Sequence, residues 1–334
     1  MSRWLTAIVV TAAGLVALTV SETSRAPALD AAAAPVASER PAGKLVAVSG
    51  PNRLTVIDVA TRRRTARRLR SLAGCGPELA IVGGRVVFAG IRGGRTDVLS
   101  LPLTLDGKPT YLGSAHSFVP SATAGRVWLA GTVCTRERMD VVRELTADGK
   151  VTSESRRRVP GSPLAGAVER GLIVQRMRDV ALWDPRTDSV DQLDLETVAD
   201  VRGNVVVGCA TDSSCRELAI VDVANDRKMT LRPLPGYRLA GGGELSPDGS
   251  LLAAPVLKDG RYQIALVRTA DGSMEIVPGS RTGNMYPQLG WSASSGWLFF
   301  SGREGRLGAI RPGARRAVGL PFRLPRGAFG FTAA

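Results

Sequence analysis

A chain of 334 residues with 44% apolar residues can bury a substantial core, which excludes wholesale disorder and leaves room for one large all-β domain or two ordinary ones. Its 38 glycines and 20 prolines are spread along the chain, the pattern of many short strands joined by tight turns. The formal charge of +14 directs any partner met through a broad surface toward anionic chemistry, although an arginine- and alanine-rich composition is a second, non-functional source of the same charge.

The N-terminus reads as separate from the fold. Met1-Ser2-Arg3 is a short basic region, and Trp4 to Val20 is an uncharged, mostly apolar run of 17 residues. That length lies between the apolar core of a signal peptide and a transmembrane helix. Ala26-Pro27-Ala28 fits a small-x-small cleavage site with the cut before Leu29. Residues 1–28 are therefore expected to be a signal peptide or, left uncut, an N-terminal membrane anchor through residues 4–20. Residues 29–43 read as an Ala/Pro-rich linker. No cysteine closely follows the apolar run, which argues against a lipoprotein anchor. The expected location is extracytoplasmic, either secreted or associated with the cell envelope.

From Lys44 onward a short apolar strand, a polar turn, a second apolar strand and another turn recur, with no convincing helical periodicity. In chain order, the third strand of each unit and its turn are seen at Leu54–Thr61 (LTVIDVAT), Asp97–Gly107 (DVLSLPLTLDG), Asp140–Gly149 (DVVRELTADG) and Asp179–Pro185 (DVALWDP). They continue at Glu217–Asn225 (ELAIVDVAN), Gln263–Gly272 (QIALVRTADG) and Arg306–Pro312 (RLGAIRP). The residues just before these turns are Asp58, Leu103, Leu145, Asp184, Asp222, Arg268 and Arg311, spaced 38 to 46 residues apart. Seven units with a period of about 42 residues match four-stranded propeller blades. One blade cannot bury both faces alone, and radial stacking buries each against its neighbours. The expected fold is all-β: a seven-bladed β-propeller of four-stranded antiparallel blades over residues 44–334. The first unit holds only three strands, so Gly327–Thr332 is expected to supply the fourth and close the ring.

Four cysteines fit an oxidising compartment. Cys209 and Cys215 flank a turn sequence between two apolar strands, where a disulfide would staple one hairpin. Cys75 and Cys134 would then pair by elimination, although four cysteines allow three connectivities. No CxxC spacing is present, and His116 is the only histidine, so no metal site or cofactor is expected.

Leu245–Ala254 (LSPDGSLLAA) resembles the signature of TolB-like, WD40-like propeller repeats. Its chemistry is that of a hairpin turn: Pro247 presets φ, Asp248 accepts bonds from the turn backbone, and Gly249 takes the left-handed conformation. Leu289–Phe300 is a weaker version without the proline and aspartate. Leu54–Thr61 resembles the core of the YVTN-type repeats of extracytoplasmic propellers. The resemblance spans residues 44–334 through the period, while the specific motif is strong in one or two blades. It implies a propeller that acts as a binding platform. The Trp-Asp dipeptides and Gly-His pairs of intracellular WD40 proteins are missing, which disfavours that subfamily.

No catalytic constellation stands out. A nucleophile–histidine arrangement would have to use His116, which reads as a loop residue between the second and third units. Gly241-Gly242-Gly243 precedes a strand and reads as a blade connector, not a phosphate cradle. Asp200 and Glu244 are acidic candidates that nothing in the sequence singles out. The expectation is therefore a non-enzymatic protein. The alternative is a propeller enzyme of lactonase or lyase type, marked by acidic or histidine side chains converging on the central channel.

One pattern does recur. With strands A to D ordered from the centre outwards, every B–C connection carries arginine. These are Arg53, then Arg92 and Arg95, Arg136 and Arg138, Arg176 and Arg178, Arg216, Arg261, and Arg303 with Arg306. The B–C turns share a face with the blade-to-blade connections, so these side chains would crown one face, where guanidinium forks suit carboxylate or phosphate. The binding candidates are Arg53, Arg95, Arg136, Arg178, Arg216, Arg261 and Arg303. The expected partner is a protein or an anionic envelope polymer or lipid. Few aromatics (5%) and the expected compartment argue against nucleic acid. The alternative to a binding face is that hairpin tips are polar anyway and arginine is this chain's default polar residue, which Arg62–Arg64 with Arg67, Arg68 and Arg70, around the outer strand of the first unit, support.

Overall fold

The computed structural model describes residues 40–49, 52–69, 79–92, 95–115, 117–131, 141–157, 159–160, 163–176, 179–210, 215, 217–325 and 328–333. The expected signal or anchor segment lies outside them, as do Cys75, Cys134 and His116. Among the described residues no helix is long and apolar enough to cross a membrane.

The strands form seven antiparallel sheets, each in the order A-B-C-D. Blade 1 takes strands B to D from Lys44–Ser49, Arg53–Asp58 and Arg64–Arg68, and its strand A from the C-terminal Ala328–Ala333. Strand A runs antiparallel to strand B, with Leu45 opposite Ala333 and Val48 opposite Gly330, so the expected ring closure is present. Strands A of blades 2 to 5 are Leu79–Val82, Ser117–Pro120, Leu164–Val168 and Thr197–Arg202. Blade 6 has a divided strand A, Arg238–Leu239 and Glu244–Leu245, and blade 7 begins with Leu289–Trp291. Each strand A contacts the strand A of the next blade, and the circuit closes between blades 7, 1 and 2.

Seven apolar clusters fill the seven seams between blades, which explains why so many strands read as continuous apolar runs. In blade 1, Val46, Val48, Leu54 and Val56 pack with Val86 and Phe88 of blade 2. The alternate residues Leu45, Ile57 and Val59 pack with Phe299, Leu307 and Ala309 of blade 7. Period-2 alternation thus sends successive side chains into two different seams, and both faces must be apolar. The same logic joins Phe118 and Leu129 of blade 3 to Val87 and Val98 of blade 2. Each such fully buried aliphatic side chain contributes roughly 1.5–3 kcal/mol. The turn at Leu245–Ala254 has its expected geometry: Gly249 has φ +71° and its N–H donates to Ser246 O at 2.8 Å.

The central channel and the arginine face

The seven A strands surround a channel with a cavity of about 430 Å³. Its charged residues are Asp200 and Arg202 from blade 5 and Glu244 from blade 6, with Trp291 of blade 7 beside them. Two interruptions of regular pairing bring these groups together. In blade 5 the register shifts between Val198 and Asp200, a bulge at Ala199. In blade 6, Ala240–Gly243 loops out between the two halves of strand A. A Cβ on Gly242 would lie 2.9 Å from that of Ala199, so glycine is what lets the two inner strands approach. Bulges of this kind re-aim side chains. The triglycine is therefore a bulge within an inner strand and not a connector before it.

The Asp200 carboxylate is held from both sides. Oδ1 accepts the backbone N–H of Val201 at 2.8 Å, and Oδ2 accepts that of Leu245, on the next blade, at 2.8 Å. Arg202 Nη1 lies 3.8 Å from Asp200 Oδ1 and donates to Val201 O at 3.2 Å. Trp291 Nε1 donates to the backbone carbonyl of Glu244 at 3.0 Å, tying blade 7 to the same cluster. Burial, followed by the negative charge of Asp200, pushes the Glu244 carboxyl up to about 8, against the opposing pull of Arg202. Arg202 is held in its charged form, chiefly by Asp200. The cluster therefore keeps a proton on Glu244 near neutral pH and a fixed ion pair beside it. Among the described residues no group of three His, Cys, Asp or Glu side chains could hold a metal.

At the A–B and C–D end, aspartates build turns. Asp58 Oδ1 accepts Thr61 N–H at 2.8 Å, and this bond holds the carboxyl below its ordinary range. Asp184 and Asp271 accept turn N–H groups in the same way, at 2.8 and 2.9 Å. Several arginines at this end are committed to the fold. Arg126 pairs with Glu144 at 3.0 Å, Arg170 with Asp191 at 3.1 Å, and Arg227 donates to Ala270 O at 2.9 Å. Arg62, Arg63, Arg186, Arg268, Arg315 and Arg316 at the same end are exposed, with no side-chain bond to another described residue.

At the B–C end four described arginines are free, and others are paired, such as Arg143 with Glu154 at 2.8 Å. Arg53 opens strand C of blade 1, and Arg261 follows the Asp259-Gly260 turn, whose positive φ values of 49° and 70° suit a two-residue hairpin. Arg303 and Arg306 flank a short 3₁₀ turn in blade 7. All four side chains are exposed, with no hydrogen bond or ion pair to another described residue. Arg95 opens strand C of blade 2, opposite Arg92. In blade 4, Arg176 pairs with Asp179 at 3.1 Å. Arg136, Arg178 and Arg216 lie outside the described residues. The Cys209–Cys215 disulfide is present and joins the end of strand B to the B–C connection of blade 5.

Asp200 and Glu244 are the pair that sequence reasoning left unselected. They lie 44 residues apart, about one blade period, a spacing that places both on successive inner strands.

These features define a seven-bladed, ring-closed propeller with a charged channel and an arginine-bearing face. Among solved structures the fold is similar to TolB from Acinetobacter baumannii, with 13% identity and a TM-score of 0.51 over 87% of this chain and 66% of that one. The chain thus spans about two thirds of the length of that protein. The likeness establishes a TolB-like propeller fold, and since 1036 solved chains match, function has to be argued from the site. No family model and no curated protein matches the sequence.

Proposed function

We propose that the protein is an exported, non-enzymatic binding propeller that docks an anionic envelope component or an acidic protein through its B–C face. The observation that carries this reading is the set of exposed, unbonded arginines at the B–C end. Arg53, Arg261, Arg303 and Arg306, from blades 1, 6 and 7, are exposed there with no side-chain bond to another described residue. Unpaired guanidinium groups gathered on one side create a local positive potential that attracts and orients an anionic surface. The Cys209–Cys215 disulfide and the basic-apolar-small pattern of residues 1–28 support an extracytoplasmic location. The test is sedimentation of the purified protein with isolated cell envelope and with anionic liposomes across a salt series. Binding that weakens steeply with salt supports the reading, and salt-independent or absent binding contradicts it.

A second reading, a propeller enzyme acting on a small molecule in the channel, is favoured by the convergence of Asp200, Arg202 and Glu244. It is the weaker one. Both oxygens of Asp200 are engaged by backbone N–H groups, which leaves Glu244 as the one carboxyl among the described channel residues free to exchange a proton.

A further inference from the structure

Where the ring closes, four arginines border one cavity of about 610 Å³: Arg53, Arg64 and Arg68 of blade 1 and Arg323 of blade 7. Leu324 and Pro325 form its apolar shoulder, and no aspartate or glutamate lines it. All four arginines are exposed, and none bonds to a carboxylate among the described residues.

Strand register explains the convergence. Arg53 lies directly opposite Arg68, and alternation places Arg64 and Arg68 on the face shared by Arg53 and Ile57. Ile57 packs against blade 7, so this face is the one turned to the closing seam. It buries apolar side chains at its inner part and presents guanidinium groups toward its outer strand. Like charges directly opposite across a ladder repel. Arg323 of blade 7 reaches the same cavity from the other side of the seam. Four guanidinium groups around one cavity, two of them directly opposite each other and none with a carboxylate partner among the described residues, point to a ligand that supplies the missing negative charge.

The charge count selects the ligand class. A single carboxylate brings one negative charge to four guanidinium groups. A diphosphate brings two or three, with terminal oxygens placed to accept forked N–H donors from different directions. The cavity is roomy enough for two linked phosphoryl groups. We propose that Arg53, Arg64, Arg68 and Arg323 form a diphosphate-binding site at the ring-closing seam. The site deepens the arginine-face reading and shares only Arg53 with it.

The test titrates inorganic pyrophosphate into the full chain by calorimetry, with sulfate as control. In a second arm, vesicles carrying a diphosphate-headed lipid are compared with vesicles carrying a carboxylate-headed one, which separates a soluble source of the group from a membrane source. One saturable pyrophosphate site is expected. The R64S/R68S/R323S variant should lose about tenfold or more in affinity, whereas R95S/R136S/R178S/R261S/R303S should stay within roughly twofold of the parent. Equal binding of sulfate and pyrophosphate, an unchanged affinity in the first variant, or an equal loss in the second would overturn the site. In the last case the arginine face as a whole would still stand. If the triple variant fails to fold, R68S alone is read by the same criteria.

Discussion

The carboxylate of Asp200 in blade 5 accepts the backbone N–H of Leu245 in blade 6 at 2.8 Å, so one side chain joins two inner strands that are 45 residues apart in sequence. The same carboxylate is the negative neighbour that helps keep Glu244 protonated. Structure and electrostatics are coupled at this residue. Replacing Asp200 with alanine should leave two buried N–H groups without their acceptor and cost about 1–3 kcal/mol. It should also move the Glu244 titration below about 8, because the repulsion that raises it is gone. Denaturant unfolding reads the first effect, and the carboxyl resonance of Glu244 followed against pH reads the second.

Glu244 makes stability depend on pH in a window unusual for a carboxyl. Its ordinary value is 4.5 and its folded value about 8, so between these the folded state binds more protons than the unfolded state. Stability should therefore fall as pH rises from about 4.5 to 8 and level off above that. The E244Q variant should match the parent at pH 5 and exceed it at pH 9. Glu144 predicts the opposite behaviour at acid pH. Burial alone would raise its carboxyl, but bonds from Ser121, Thr152 and Arg126 outweigh that and hold it below 4.5. Its contribution is present above 4.5 and is lost as pH falls through its folded value. Melting temperatures across pH 3 to 9.5 for the parent, E244Q and E144Q separate the two windows.

Strand A of blade 1 is the last segment of the chain, yet it lies between blades 7 and 2 in the ring. A chain ending at Pro325 loses the pairing of Leu45 to Ser49 with this strand and opens both seams. The expected result is one transition at lower denaturant for the whole domain. A separate minor transition beside an unshifted main one would show that the closing strand only frays.

Gly166 sets the distance between blades 4 and 5. It follows a bulge in strand A of blade 4, and a Cβ there would fall inside the shell of the Val201 side chain. G166A should cost roughly 1–3 kcal/mol through overpacking. G166A/V201G should be less unstable than the two single changes combined, because the second change removes the obstructing atoms. Additive losses measured by denaturant unfolding would argue against direct contact.

Much of the fold was legible in the sequence because blades repeat their turns. The Ser-Pro-Asp-Gly turn before Leu251, the regular return of strand C, and the incomplete first unit with spare apolar residues near Phe331 all reflect local chemistry repeated at one spacing. The channel cluster was not legible in the same way. Asp200 and Glu244 meet because a bulge at Ala199 and a loop at Ala240–Gly243 turn them inward, and neither irregularity leaves a mark that period or hydropathy detects. The arginines of Arg62–Arg68 read as default polar residues because their sequence neighbours are arginines. Register separates them: Arg67 turns away to donate to Leu105 O and Gly107 O at 2.7 and 2.6 Å, while Arg64 and Arg68 face the cavity with Arg323, which lies more than 250 residues further along the chain.

The central claim is that the B–C face is the working surface. Its most direct test is sedimentation with anionic liposomes for the parent beside a variant in which Arg95, Arg136, Arg178, Arg261 and Arg303 are changed to serine. Both proteins are first shown to melt at the same temperature. The expected result is that the parent binds at low salt and releases as ionic strength rises, while the variant stays in the supernatant throughout. Equal binding of parent and variant at every salt concentration would contradict the claim, and the arginines would then be a solvated rim around a channel that does the binding.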